Sequence, residues 1–128
     1  MPILIPVSWG ELLDKITILE IKSRSIADDA KRQNVERELT ALNAVVTQAG
    51  SLPTAAGPII DRLRGVNEAL WNIEDDIRDC ERQKNFGDRF VELARAVYHT
   101  NDQRAAFKRE LNDLMGSELV EEKSYQPY

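Results

Sequence analysis

Asn101, Arg104 and Lys108 stand at successive spacings of three and four, on the stripe of a helix whose next members are Leu111 and Met115. If that helix is continuous, one amide and two cations point into a helical bundle. Two buried cations can grip a phosphate or a carboxylate. Burying Arg or Lys without a partner costs several kcal/mol, on the order of 3–5, so carboxylates are expected close by. Helices flanking the turn at Phe86 form a hairpin. Equal steps from that turn set Trp71 near Asn101, Asn67 near Arg104 or Ala105, and Glu74 near Tyr98. Glu20, on the edge of the first helix's stripe, faces the same region. The candidate anion pocket is therefore Asn101, Arg104, Lys108, Glu74, Glu20 and Asn67, with Glu74 or Glu20 as an acid–base group. The same residues can instead form a satisfied ion and hydrogen-bond network that sets helix register. A third option is a helix break at Thr100, where Thr100 and Gln103 spell a capping box, turning the cations out to solvent.

Other chemistry is poorly supported. Glu74-Asp75-Asp76 with Asp79 and Glu81 is an acidic run, and Asp76/Asp79 share a helix face, as do Glu11/Asp14. Paired helical carboxylates can hold Mg²⁺, as in all-α nucleotide pyrophosphohydrolases. Here Arg78, Arg82, Arg89 and Arg95 lie within reach, so a salt-bridged, solvated face is expected and no metal site. A di-iron bundle needs a Glu-x-x-His pair on each of two helices. The single histidine, His99, has Ala96 three positions before it and reads as a surface residue. Cys80 falls in an apolar stripe and reads as a small buried hydrophobe. No nucleophile–base pair stands out, and no cofactor is implied.

A second oddity concerns apolar residues. Trp71 falls roughly 130° from the centre of its helix's apolar stripe. Ile60 and Asn67 share its side, amid Arg64, Glu68, Asp75 and Arg78. Ile18 and Ile21 are displaced in the same way on the first helix. Two helices with a second apolar spot need another surface to cover it. The N-terminal strip or the C-terminal tail can do so, or a ligand stacked on Trp71. So can a homodimer or protein partner, with Trp71, Ile60, Ile18 and Ile21 as the candidate interface.

The elements that position these residues are legible. Ile59, Leu63, Val66, Leu70, Ile73, Ile77 and Cys80 form a stripe at spacings of four and three. That is the seam of a long packed helix, expected from Pro58 to about Lys84. The first helix starts at Ser8, with Glu11 completing a capping box, and ends near Asp28. Its core face is Trp9, Leu12, Leu13, Ile16, Leu19 and Ile26. The second runs from about residue 29 to Gly50 with Val35, Leu39, Leu42 and Val46 inward. A loop from Gly50 to Pro58 follows. Asp88 is expected to cap the last helix, which ends at Gly116-Ser117. The fold class is all-α: an antiparallel bundle of four long helices, with a short extended N-terminal strip lying against it. Residues 1–116 form one domain, and 117–128 a charged tail that is either disordered or docked.

The chain has 128 residues, is 42% hydrophobic and 30% charged, and has a net charge of −5. That is long enough for one real core. An acidic surface repels phosphate backbones, so nucleic acid is not an expected partner. One cysteine permits no intrachain disulfide and suits the cytoplasm. The apolar stretch Met1–Val7 is too short and proline-broken to be a signal peptide or membrane span.

Several blocks taken together resemble a known family. They are Trp9-Gly10-Glu11-Leu12-Leu13-Asp14-Lys15-Ile16-Thr17-Ile18-Leu19-Glu20-Ile21-Lys22, Leu70 to Arg78, Leu93 to Tyr98, Asn101 to Ala105 and Gly116 to Tyr125. Over nearly the whole chain this resembles a small bacterial all-helical family of unknown function. Its members occur beside, or fused to, glycosyltransferase and surface-polysaccharide genes. The resemblance implies a bacterial cytoplasmic setting and assigns no role to any side chain. The expected function is a binding or scaffolding module, with a homodimer or protein partner. The alternative is a small helical enzyme or ligand-binding protein holding an anionic sugar-phosphate or nucleotide-sugar.

Overall fold

In the computed structural model, which describes residues 1–128, four helices account for all regular structure: α1 (Trp9–Ser25), α2 (Asp29–Ala49), α3 (Ala56–Arg82) and α4 (Asp88–Met115). The all-α bundle is as the periodicity predicts. Ser8 Oγ accepts from the Glu11 backbone N–H at 3.1 Å and starts α1. Asp28 does the same for Lys31 at 2.9 Å and starts α2. Helix α3 begins two residues before Pro58. The first turn's N–H groups have no intrahelical acceptor, so a proline there costs nothing. Asp88 is the first residue of α4 rather than its cap; Gly87 takes that place without a side-chain bond.

Helix α4 runs unbroken through Thr100. The capping box of Thr100 and Gln103 is overridden because side chains on both sides of it are held by other helices, and tertiary packing outweighs a local cap of about 1 kcal/mol. The break is therefore absent, and the stripe through Asn101, Arg104 and Lys108 faces inward.

Helix α1 is the hub, packing against all three others, and α2 packs along α1 alone. The core holds Leu13 and Ile16 of α1, Ala56 and Leu63 of α3 and Leu111 of α4; Leu39, Leu42 and Val46 of α2 lie partly buried against it. Gly10 sets the closest approach. A Cβ there would stand 2.4 Å from the Lys108 carbonyl oxygen, so only glycine lets α1 lie on α4 at this point.

The ion pair of Arg24 with Glu68 puts the end of α1 level with the middle of α3. Past Trp71, α3 continues for 11 residues to Arg82, or about 16 Å, paired with α4. The hydrogen bonds and ion pairs of this hairpin stay within it, as between Arg89 and Asp76. Only 17 of 128 residues are buried; α2 contributes Val35 alone, and residues 1–7 and 118–128 contribute none.

The N-terminal strip does not lie against the bundle. Ile3 and Leu4 are 92% and 89% exposed. The start of α1 is already closed by α4 and the residues after it: Asn112 takes the Gly10 N–H at 2.7 Å and Ser117 Oγ the Trp9 N–H at 3.3 Å. The tail, by contrast, docks. Gly116, in the left-handed conformation at φ 62°, reverses the chain and sends residues 117–128 back along α4.

Candidate functional site

A polar layer crosses the bundle where α1, α3 and α4 meet. Its centre is Asp14, 1% exposed. Arg104 grips it with two hydrogen bonds, Nε to Oδ1 at 2.9 Å and Nη2 to Oδ2 at 2.6 Å. Asn67 Nδ2 donates to Asp14 Oδ1 at 2.8 Å and to Thr17 Oγ1 at 2.9 Å. Thr17 in turn donates to the Asp14 carbonyl at 2.8 Å. One turn along α4, Lys108 Nζ donates to Glu11 at 2.9 Å and to Glu121 of the tail at 2.5 Å. No buried side-chain nitrogen or oxygen lacks a partner. Hydrogen bonding to Asp14 raises the Arg104 guanidinium above its ordinary range despite burial. Burial pushes Lys108 down, but the bonds to Glu121 and Glu11 more than reverse it, and the net shift is upward.

Asn101, Arg104, Lys108 and Asn67 thus converge as the spacing implies. Of the carboxylates expected beside them, Glu74 lines one cleft with Asn67, Asn101 and Arg104, Glu20 does not, and neither pairs with these cations. Glu20 bonds Arg64 at 2.8 Å, and Glu74 bonds Arg78 at 3.3 Å on its own helix face. Both are outcompeted by geometry. Asp14 is short and points from the hub helix, so it reaches Arg104 at little entropic cost. The signal for Asp14 is present in the sequence: Gly10, Asp14, Thr17 and Ile21 recur at four, three and four, a second seam on α1. The acidic run is ion-paired as expected, Glu74 with Arg78, Asp76 with Arg89 and Asp79 with Arg82.

The second site lies beside the first. Ile18, Ile21, Leu70 and Trp71 wall a cleft of about 410 Å³, and Asn101 and Arg104 stand on its rim with Glu74. Arg104 spends Nε and Nη2 on Asp14 and remains 29% exposed, which leaves Nη1 to the cleft. Trp71 is half-buried here. Of its proposed companions, Ile18 lines the cleft, Ile21 is buried at its base, and Ile60 packs against the core instead.

Comparisons of the chain with protein-family models, curated proteins and solved structures found no match. What the site does is read from its own geometry.

The tail roofs a further cleft of about 600 Å³ over Arg104 and Lys108, reached by Asn101, Glu121, Lys123 and Tyr125. Asp102 anchors its far end, accepting from Lys123 at 2.6 Å and from the Tyr128 hydroxyl. The Tyr128 ring rests 5.0 Å from Tyr98 and 4.7 Å from His99, which is exposed as expected. The hydrogen bonds from Lys123 and Tyr128 hold the Asp102 carboxyl below its ordinary 3.8, and the bond to Asp102 holds the Tyr128 hydroxyl above its ordinary 10.0. A depressed acid stabilises docking above its free value and loses that as pH falls through the docked one. A raised tyrosine stabilises docking below its free value and loses that as pH rises through the docked one. The Tyr128 ring signals in NMR should therefore stay constant from about pH 5 to 9, and report release below 3.8 and above 10.0.

Proposed function

We propose that this chain is a helical binding and scaffolding module that works as a homodimer, with the Trp71 cleft at the centre of the interface. The observation behind this is the position of Trp71: a half-buried indole at the point where the α3–α4 hairpin leaves the bundle, with apolar walls and a charged rim. A two-helix projection with so little burial is incomplete by itself. The rim carries both signs, Glu74 and Asp75 with Arg78 and Arg104, which an isologous interface can pair across its two-fold axis. Trp and Arg in a desolvated centre are the residues that dominate such interfaces. Following the resemblance described above, we place the module in the bacterial cytoplasm, beside surface-polysaccharide glycosyltransferases.

Catalysis is the less favoured reading. Glu20 and Glu74, the candidate acid–base groups, are each held in an ion pair with an arginine. Asp14 is locked by Arg104 and Asn67. None of them is an unengaged carboxyl facing a cavity.

Sedimentation equilibrium tests the proposal. The parent chain of 14.6 kDa should run at twice that mass. Trp71→Ala should weaken the dimer by at least about 30- to 1000-fold, since that is the loss of one hot-spot residue and the two-fold removes it from both protomers. A parent that stays monomeric at millimolar concentration, or a dimer untouched by the substitution, rules out this interface.

A further inference from the structure

Lys108 is almost wholly buried, yet one of its two partners is a residue of the exposed tail. The Glu121 side chain is 58% exposed, and every residue from Glu118 to Tyr128 is exposed. From Glu118 onward the tail makes no backbone–backbone hydrogen bond to the bundle. Its attachments are side chain to side chain: Glu121 to Lys108, Glu122 to Arg109, Lys123 and Tyr128 to Asp102. The receiving groups, Lys108, Arg109 and Asp102, all sit on α4, and the two cations of the groove keep a bundle partner without the tail. Arg104 is fixed by Asp14, and Lys108 by Glu11.

We infer that the groove over Arg104 and Lys108 is a docking site for an extended acidic peptide, filled here by the chain's own Glu121 segment and filled between molecules by the same segment of a second copy. Charge decides the class of occupant. Two cations of the bundle, Arg104 and Lys108, face two of its carboxylates, Asp14 and Glu11, so the cluster is neutral before the tail arrives. A single carboxylate is tolerated because it bonds Lys108 directly. A phosphate, with a charge of about −2, would leave this four-residue cluster with about twice the excess negative charge that Glu121 does. A peptide also brings its own compensation: Lys123, two residues after Glu121, bonds Asp102 at 2.6 Å. Five residues, Gly116 to Val120, link the end of α4 to Glu121. Because every docking contact is a side-chain contact on the surface of α4, an identical segment arriving from another molecule satisfies each of them equally.

This inference does not rest on the Trp71 interface, and its test is separate. A fluorescent peptide spanning Ser117–Tyr128 is titrated into the full-length chain and followed by anisotropy. In the parent, the attached tail competes at an effective concentration near millimolar and binding is weak. In Glu121→Gln the attached tail loses its grip on Lys108, and the added peptide should bind at least tenfold more tightly. A peptide carrying Gln in place of Glu121 should bind Glu121→Gln at least tenfold more weakly than the parent peptide. Inorganic phosphate at tenfold excess should not displace it. Equal binding of the Glu and Gln peptides, or no binding to Glu121→Gln at millimolar concentration, overturns the proposal. Displacement by phosphate overturns the peptide-carboxylate class. Since the decisive substitution is repeated in the peptide, misfolding of a variant cannot imitate the result.

Discussion

Replacing Asp14 by alanine should lower stability by about 3–5 kcal/mol, the cost of breaking a buried ion pair from one side. In a domain of this size that is a fall in melting temperature of roughly 10–20 °C. Three groups lose their acceptor at once: two edges of Arg104 and the amide of Asn67. The guanidinium then sits unpaired against α1, and Asn67 keeps only Thr17. Asp14→Asn should cost less, since it retains the volume and one acceptor for Arg104. A double variant, Asp14→Leu with Arg104→Met, separates the pair's net worth from the cost of orphaning one member. It should recover much of the loss, because apolar replacement of both partners of a buried pair is often neutral. Chemical denaturation of the parent, Asp14→Leu, Arg104→Met and the double variant gives the coupling energy. If Asp14→Ala loses less than about 1 kcal/mol, the layer does not hold the bundle.

Gly10→Ala should destabilise the protein by about 2–4 kcal/mol. By helix propensity alone the same change gains about 1 kcal/mol. The methyl group would stand 2.4 Å from the Lys108 carbonyl oxygen and 3.0 Å from Asn112 Oδ1. Backbone cannot yield as a side-chain tip can, so α1 and α4 must part. That stretches the 2.7 Å bond from Gly10 to Asn112 and moves Glu11 away from Lys108. Gly65→Ala is the control. Gly65 lies on the exposed face of α3 with open space where a Cβ would stand. There alanine should gain about 0.5–1 kcal/mol. If the two substitutions shift the unfolding midpoint in the same direction, helix packing at Gly10 is not the constraint described.

Both effects follow from how α1 meets α4, which the linear pattern shows only in part. The 4–3 stripe of α3 predicts its length and its buried face, because a packed helix must repeat its apolar residues at that period. Ser8 predicts the start of α1, because a cap acts within one turn. Even the inward-facing Arg104 and Lys108 are visible as polar residues out of place in an apolar stripe. The length of α4 is a different matter. Thr100 and Gln103 offer a local break worth about 1 kcal/mol, and contacts from α1 and the tail override it.

Partner choice lies further beyond the sequence. Glu20, Glu74, Glu11 and Asp14 all have the right charge for Arg104 and Lys108. Which carboxylate pairs with which cation depends on rotation of α1 about its axis and on a separation of a few tenths of an ångström. Coulomb attraction has no direction of its own, whereas bidentate hydrogen bonding does. The fate of the tail is likewise tertiary, for its charges gain binding meaning only once Lys108, Arg109 and Asp102 are aligned on one face of α4. By itself, the sequence determined the helices, their apolar faces and the register of the cations on the α4 stripe, because these rest on periodicities of three to four residues. Only the tertiary structure decided that Asp14 holds Arg104, that Gly10 admits α4, and that Glu121 closes over Lys108. Those depend on distances between atoms that are 90 or more residues apart in the chain or that meet only after it reverses at Gly116.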